Sequence, residues 1–240
     1  MADAPSDRPP PSPRLPLHMA TNTASPPGRE ALEREGGPSR DAPSLVRHAD
    51  HFYEGTWLPF HRPDGTLPPH WGERMVLKHP CSPYPMTMEA FARVFGGTPE
   101  RRALLDKLLD FRRDLRAIGV DRGFHWIGGS IVEKTDKAPG DVDVVTFFVA
   151  PSAWADPAAR ARATQEHPDL FDKERAKARY GCDAYLIQLA LVRDMFRHLV
   201  LWSSLFGHDR ATGAWKGFCE IDLDAPDDDR AARAALHAAG

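Results

Sequence analysis

The spacing of apolar residues predicts two helices in the middle of the chain. The segment TPERRALLDKLLDFRRDLRAIGV has a capping residue, Thr98, a proline at the first helical position, Pro99, and a terminating Gly119. Its apolar residues recur with the period of a helix: Leu104, Leu105, Leu108, Leu109, Phe111, Leu115 and Ile118. A shorter segment, TMEAFARVFG, has the same signals, with Thr87 as the cap and Gly96 at the end.

Apolar runs after these helices predict a sheet. Phe124 to Ile127 is a short apolar segment, Asp141 to Val149 alternates and then becomes fully apolar, and CDAYLIQLA and GFCEIDL follow. The intervening segments DPAARARATQEHPDLFDKERAKARYG and LVRDMFRHLVLWSSLFG have helical character. We therefore expect an α+β fold, in which a mixed sheet is flanked by helices. The last segment, DAPDDDRAARAALHAAG, is polar and alanine-rich and is expected to form at most a frayed helix.

The first part of the chain differs in composition from the rest. Residues 1–43 are rich in proline and nearly lack large apolar side chains, so burial cannot offset the entropy of ordering them, and we expect a disordered tail. Residues 44–85 combine aromatic residues with many prolines, which predicts an irregular extension packed on the core, with a short strand at Arg74 to Leu77. Residues 86–240 are then the main domain.

Composition and charge exclude several classes of protein. The chain has 240 residues and a formal net charge of -3, so it is not a polycation that binds nucleic acid by charge alone. Its 3 cysteines are far apart and odd in number, which argues against a disulfide framework. No apolar run approaches the ~18 residues that a membrane-spanning helix needs. We expect a cytoplasmic protein with no membrane association.

Asp141 and Asp143 open the most apolar of the predicted strands. Residues two apart on a strand point to the same face, so the two carboxylates lie side by side while Val142 points into the core. A divalent cation removes their mutual repulsion, and carboxylate oxygens are ligands that Mg²⁺ prefers. The alternative is a strand end that emerges into water with both aspartates solvated.

A glycine-rich turn precedes this strand. Gly128, Gly129 and Ser130 follow the first apolar strand. Glycines allow backbone N–H groups to approach a phosphate closely, and a serine hydroxyl adds a further hydrogen bond. Lys134 and Lys137, in the loop between this turn and the aspartate pair, are candidates to neutralise a triphosphate, and a solvated loop is the alternative.

A further carboxylate, Asp183, stands at the start of the strand CDAYLIQLA. A charged residue is unusual there unless it has a partner, and a turn aspartate that begins a strand is the alternative. With Asp141 and Asp143 it completes a set suited to two-metal phosphoryl transfer. In that chemistry two carboxylates bind metals and another deprotonates or orients the attacking hydroxyl.

Two other polar segments are weaker candidates. Glu220 and Asp222 repeat the acidic spacing in the last strand and are expected to face solvent. Trp215-Lys216-Gly217 either closes over a nucleotide or forms an ordinary turn before that strand.

The motifs GGS, GDVDVVTFF and CDAYLIQL, in this order, resemble the nucleotidyltransferase superfamily of DNA polymerase beta. That superfamily has Gly-Ser, then Asp-x-Asp on a strand, then an acidic residue on a later strand. A wider stretch, roughly Ser82 to Leu223, is similar to uncharacterised bacterial proteins classed as nucleotidyltransferase-like. The resemblance implies that residues 86–240 have a nucleotidyltransferase fold.

The resemblance also implies roles for the residues singled out above. The phosphate-binding and metal-binding set is Gly129, Ser130, Asp141, Asp143 and Asp183. The first two aspartates bind Mg²⁺, the last completes a two-metal site, and an NTP is the substrate. Many small members of the superfamily carry a basic residue shortly after Gly-Ser, whereas here Glu133 precedes Lys134.

Two hypotheses about function follow. The first is a Mg²⁺-dependent enzyme that transfers a nucleotidyl group from an NTP to a hydroxyl on a protein, an RNA or a small molecule. The second is a catalytically degenerate nucleotidyltransferase fold that binds nucleotide or protein in a toxin–antitoxin or phage-defence system, with a co-encoded protein partner. The intact set of carboxylates favours the enzyme, and the sequence does not identify the acceptor.

Overall fold

The computed structural model describes residues 51–72, 75, 80–189 and 192–238. All of them belong to one compact unit, Arg47–Gly240. The tail expected at 1–43 lies outside the described residues, as does most of the strand expected at Arg74 to Leu77.

A mixed sheet of 5 strands forms the centre of the described unit. Its strands are β1 (Tyr84–Met86), β2 (Gly123–Gly128), β3 (Val142–Phe148), β4 (Cys182–Gln188) and β5 (Cys219–Asp222), in the spatial order β1-β5-β2-β3-β4. β2 is antiparallel to β3 and β5, whereas β1 and β5, and β3 and β4, are parallel pairs. The sequence predicted β2 to β5. It did not predict β1, a 3-residue edge strand that contains a proline and has no alternating pattern.

Helices flank this sheet. Those in the described part of the chain are α1 (Met88–Phe95), α2 (Pro99–Ala117), α3 (Pro157–Glu166), α4 (Pro168–Phe171), α5 (Lys173–Tyr180), α6 (Val192–Phe206) and α7 (Pro226–Ala238). Thr87 and Thr98 cap α1 and α2, since their hydroxyls accept hydrogen bonds from the backbone N–H groups of Ala90 and Arg101. The predicted α+β architecture and both predicted caps are confirmed. None of the described helices is long and apolar enough to cross a membrane.

The larger buried cluster lies on one face of the sheet. Val142 and Val144 of β3 point into it, together with the apolar stripe of α2 and the buried face of α1. Leu58 and Leu67, from the irregular segment before β1, are buried in the same cluster. That segment therefore contributes to the core of the unit.

A smaller, mostly aromatic cluster lies on the opposite face. Val145 and Phe147 of β3 and Trp126 of β2 pack there against Trp202 and Phe206 of α6. The alternation of side chains along β3 thus separates the two clusters, as expected for a strand covered on both faces. α6 covers one end of this face.

The C-terminal segment differs from the frayed helix expected from its composition. It forms α7, which packs against α1 and buries Ala232 and Leu236. Asp229 of α7 accepts two 3.0 Å hydrogen bonds from Arg112 of α2, a fully buried residue, and pairs with Arg116 at 2.6 Å. The helix itself was expected, but its packing on the core was not; the ion pairs permit that packing because they allow charged residues to face the interior.

Candidate functional site

The predicted carboxylates meet where β3 and β4 begin. Asp143 and Asp183 are opposite each other in the parallel register of these strands, and Asp141 immediately precedes β3. Val142 is completely buried between the two partly exposed aspartates, as the alternation predicted. The β2 strand, antiparallel to β3, ends at the same place, because Gly128 is opposite Asp143.

The glycine turn lies directly against Asp143. Gly129 begins a short 3-10 turn, Gly129–Val132, and has φ 70°, a conformation that favours glycine. A Cβ at Gly129 would collide with a carboxylate oxygen of Asp143. A Cβ at Gly128 would lie 2.8 Å from the ring of Phe206. Both glycines therefore permit close packing within the protein itself, a role that phosphate binding alone did not suggest.

Arg101 of α2 holds this turn in place through hydrogen bonds to its backbone. Its guanidinium donates hydrogen bonds to the carbonyls of Ile131 at 2.6 Å and Ser130 at 3.2 Å, and to that of Glu133. Arg101 is nearly buried. Sequence reasoning missed this residue because it counted only the apolar stripe of α2, and nothing local distinguishes a buried arginine from a solvated one.

A cavity of about 360 Å³ contains the three predicted elements together. It is lined by Gly129, Ser130, Asp141, Asp143, Lys177, Asp183, Leu205, Phe206, His208, Arg210 and Lys216. The glycine turn, the aspartate pair and the later aspartate thus share one pocket, closed on one side by the end of α6. The loop between α6 and β5 supplies Arg210 and Lys216, and α5 supplies Lys177.

Two lysines of α5 neutralise two of the carboxylates. Lys177 pairs with Asp141 at 2.6 Å, and Lys173 pairs with Asp183 at 3.1 Å while also donating to the hydroxyl of Tyr185 at 2.7 Å. The hydrogen bond with Asp141 raises the pKa of Lys177, and those with Tyr185 and Asp183 raise the pKa of Lys173. A bound cation would compete with these ammonium groups for the same oxygens.

Asp143 is a half-buried carboxyl with a raised pKa. Burial raises its pKa, and the negative charges of Asp141 and Asp183 raise it further, while Arg210 and Lys216 partly oppose them. Asp183 contributes a buried oxygen, Oδ1, that has no hydrogen-bond partner among the described residues. Asp143, which has no ion-pair partner among the described residues, and the unsatisfied oxygen of Asp183 are features that a cation would relieve.

The chemistry of these donors fits Mg²⁺, but their arrangement is not closed around one point. The described residues contain no group of three or more His, Cys, Asp or Glu side chains close enough together to hold a metal ion. The carboxylates of Asp141 and Asp183 are turned instead to their lysine partners. A cation would therefore bind only with rotation of these short side chains.

The predicted lysines of the loop lie elsewhere. The ammonium of Lys134 lies 4.5 Å from the ring centroid of Tyr53, and neither it nor the exposed Lys137 lines the cavity. Lys177, Arg210 and Lys216 line it instead. Of these, the sequence pointed only to Lys216, through the segment Trp215-Lys216-Gly217.

Glu220 differs from the solvent-facing residue that was expected. It is partly buried on β5 and accepts a 2.8 Å hydrogen bond from the indole N–H of Trp126. Burial raises its pKa. It lies outside the residues that line the cavity.

A larger cavity, of about 480 Å³, lies between α2 and α7. Its arginines are Arg113, Arg116, Arg230 and Arg233, and each of them is already paired with an aspartate. This cavity lies within the ion-pair network that docks α7, whereas in the carboxylate pocket Asp143 and Arg210 have no ion-pair partner among the described residues.

Residues 59–222 match a family of unknown function, DUF6932. The chain belongs to the DUF6932 family. The part shared with that family includes the glycine turn, the three carboxylates and Lys216, and it ends before α7. No curated protein and no solved structure matches the chain. Membership of DUF6932 therefore assigns no activity, and the function has to be inferred from the residues of the pocket.

Proposed function

We propose that this DUF6932 protein is a Mg²⁺-dependent nucleotidyltransferase with a nucleotidyltransferase fold. It transfers a nucleotidyl group from an NTP to a hydroxyl acceptor on a protein, an RNA or a small molecule: the acceptor oxygen bonds to the α-phosphorus, the α–β phosphoanhydride bond breaks, and pyrophosphate leaves. The observation that carries the proposal is the single pocket in which Gly129, Ser130, Asp141, Asp143 and Asp183 meet. These residues come from two separate strands and a turn, and a purely structural role does not explain why three carboxylates face one cavity.

Each residue has a distinct task in this proposal. Asp141 and Asp143 would hold Mg²⁺, which supplies charge neutralisation for the phosphates. The backbone N–H groups of the turn and the hydroxyl of Ser130 bind phosphate oxygens. Asp183 accepts the proton of the attacking hydroxyl once its carboxylate turns away from Lys173 and brings the buried, unpartnered Oδ1 to the cavity.

The alternative is a degenerate nucleotidyltransferase fold that binds a nucleotide or a protein partner without chemistry. The ion pairs of Lys173 and Lys177 favour it, because they occupy two of the carboxylates that catalysis requires. In this case a co-encoded protein of a toxin–antitoxin or phage-defence system would be the partner.

Asp183→Asn separates the two proposals. It preserves shape but removes the charge that accepts a proton, so we expect Mg²⁺-NTP binding to survive and transfer of α-phosphate label to protein or RNA acceptors to be abolished. Asp141→Asn combined with Asp143→Asn should lose both binding and transfer. Binding is measured as NTP-induced thermal stabilisation and transfer by labelled NTPs.

Asp136→Asn is the matched control, because Asp136 is exposed in the loop beside the site and does not line the cavity. It should behave as the parent does. Failure of the parent to transfer label from any of the four NTPs would favour the binding module. Unchanged transfer by Asp183→Asn would remove Asp183 from its role and make Glu220 the next residue to test.

A further inference from the structure

We infer that Lys216, held in place by Glu133, and Arg210 form an anion-binding half of the pocket that takes the phosphate chain of a metal-chelated nucleotide. The inference deepens the proposed function and rests on it. It assigns the basic subsite to the loop between α6 and β5, and not to the loop that directly follows the glycine turn.

Lys216 is an unusually buried lysine. Its side chain is 10% exposed, and its ammonium group lies 2.6 Å from Oε1 of Glu133. Lysine is strongly hydrated and is rarely buried without a partner. Its backbone is fixed as well, because its N–H donates to the carbonyl of Gly207 at 2.8 Å. The pair therefore holds the ammonium group of Lys216, with Glu133 as its counter-ion, at a defined place in the cavity wall.

Glu133 explains a departure from the superfamily pattern. The residue shortly after the glycine turn is acidic here. Many small members of the nucleotidyltransferase superfamily, which the motifs resemble, have a basic residue there. Arg101 binds the carbonyl of Glu133, and the carboxylate of Glu133 binds Lys216. The acidic residue thus positions a cation that comes from a distant part of the chain, so the pocket has a basic group although the local motif lacks one.

Arg210 adds a second positive charge. It is exposed, lines the cavity, and has no carboxylate within ion-pair distance among the residues that the structure describes. Its loop is well defined, because Oδ1 of Asp209 accepts hydrogen bonds from the N–H groups of Ala211 and Thr212. A cation without a partner on a fixed loop is available to bind an anion from solution.

The charges of the cavity select the class of ligand. Carboxylates lie on the β3 and β4 side, and Lys216 and Arg210 lie on the α6–β5 loop; both groups line the same space with the glycine turn. The two basic residues also lie within electrostatic reach of Asp143, whose pKa they lower against the stronger effects of burial and the other aspartates. A ligand that satisfies both sides must present positive charge to the carboxylates and negative charge to the cations. A polyphosphate chelated to a divalent cation has this distribution.

Lys216→Met tests the inference, because it preserves the apolar stem and removes the charge. We measure by calorimetry the affinity for Mg²⁺-ATP and for Mg²⁺-bound inorganic triphosphate, and separately the affinity for Mn²⁺ alone. Lys216→Met should weaken both phosphate ligands by about tenfold or more, as expected from loss of a charge-assisted hydrogen bond, and leave Mn²⁺ binding unchanged. Arg210→Met should weaken them by a smaller factor, and Lys216→Arg should retain binding.

The matched control is Lys107→Met, which removes an exposed lysine of α2 that lies outside the cavity. It should bind triphosphate as the parent does. Glu133→Gln combined with Lys216→Met removes both charges of the pair, so it should fold stably and still fail to bind. If Glu133 acts through Lys216, the single variant Glu133→Gln binds triphosphate more weakly than the parent. The double variant then binds triphosphate no more weakly than Lys216→Met alone.

The outcomes separate this inference from the proposed function. Equal triphosphate affinity of Lys216→Met and the parent overturns the inference and leaves the transferase proposal standing. If Lys216→Met binds triphosphate more weakly than the parent, and the parent transfers no label, the inference is supported and the transferase proposal is contradicted. A parent that binds neither ATP nor triphosphate overturns both.

Discussion

At the scale of single residues, Gly129 shows how one position serves packing and binding together. Its φ of 70° places its Cα against the carboxylate of Asp143, so that carboxylate can approach the turn only if no side chain intervenes. The sequence predicted Gly129 as a phosphate contact, and that role stays a prediction. Its nearest neighbour in the structure is instead the aspartate itself, which makes the turn a support for Asp143.

Gly129→Ala should therefore both destabilise the fold and displace Asp143. The left-handed backbone conformation costs an L-residue about 1–2 kcal/mol, which urea unfolding measures. The affinity for Mg²⁺-NTP should also fall, and by more than the loss of folded protein accounts for. Gly140→Ala is the control, because Gly140 has open space around it and no positive φ. Normal NTP binding by Gly129→Ala would show that Asp143 does not need this close approach.

At the scale of elements, helices in this protein are held by charged residues that point inward. Arg101 of α2 holds the glycine turn, and Arg112 of the same helix holds α7 through Asp229. Burial lowers the pKa of Arg112, and the charge of Asp229 opposes that effect. The spacing of apolar residues in the sequence predicted the apolar stripe of α2. The burial of the arginines between the apolar positions was not predicted, because a buried and a solvated arginine look the same in a sequence.

Asp229→Asn should detach α7 from α2. It leaves a fully buried arginine without a counter-charge, which costs about 3–5 kcal/mol of unfolding free energy. Asp227→Asn is the matched control, since the side chain of Asp227 is 85% exposed and pairs with Arg230 at the surface. It should change stability by less than about 0.5 kcal/mol. A loss below about 1 kcal/mol in Asp229→Asn would mean that apolar packing, and not the ion pair, holds the helix.

At the scale of the whole molecule, a buried histidine links stability to pH. His125 of β2 is completely buried; its Nδ1 lies 2.9 Å from Oγ1 of Thr146, and its Nε2 has no hydrogen-bond partner among the described residues. Burial, and then the charges of Arg112 and Arg116, lower its pKa well below the ordinary 6.5. The unfolded chain therefore takes up this proton first, and stability is lost as pH falls below 6.5.

Unfolding free energy should consequently fall by about 1.4 kcal/mol between about pH 7.5 and about pH 5.5 from this residue alone. His125→Leu combined with Thr146→Val replaces both polar partners and should lose that part of the pH dependence. Thr146→Val alone is the control, because it retains the titrating ring. Identical pH profiles of the parent and the double variant would contradict the assignment.

The candidate site was predictable in part. Alternation along a strand, a local property, predicted that Asp141 and Asp143 lie on one side of Val142; in the structure Asp143 belongs to β3 and Asp141 immediately precedes it. The pairing of Asp143 with Asp183 depends on the parallel register of β3 and β4, which no local pattern specifies. Closeness in sequence favours Lys134 and Lys137 as the residues that neutralise a triphosphate. The basic residues that line the cavity come instead from α5 and the α6–β5 loop.

The sequence by itself determined the type and limits of most elements, because helical period, caps and alternation are set by neighbouring residues. Thr98, Pro99 and Gly119 mark α2 without reference to the rest of the chain. Only the tertiary structure decided the strand order, the docking of α7, and which charges share a pocket. These depend on contacts between segments far apart in the chain, such as the buried ion pair of Lys216 with Glu133, and neighbouring residues do not specify such contacts.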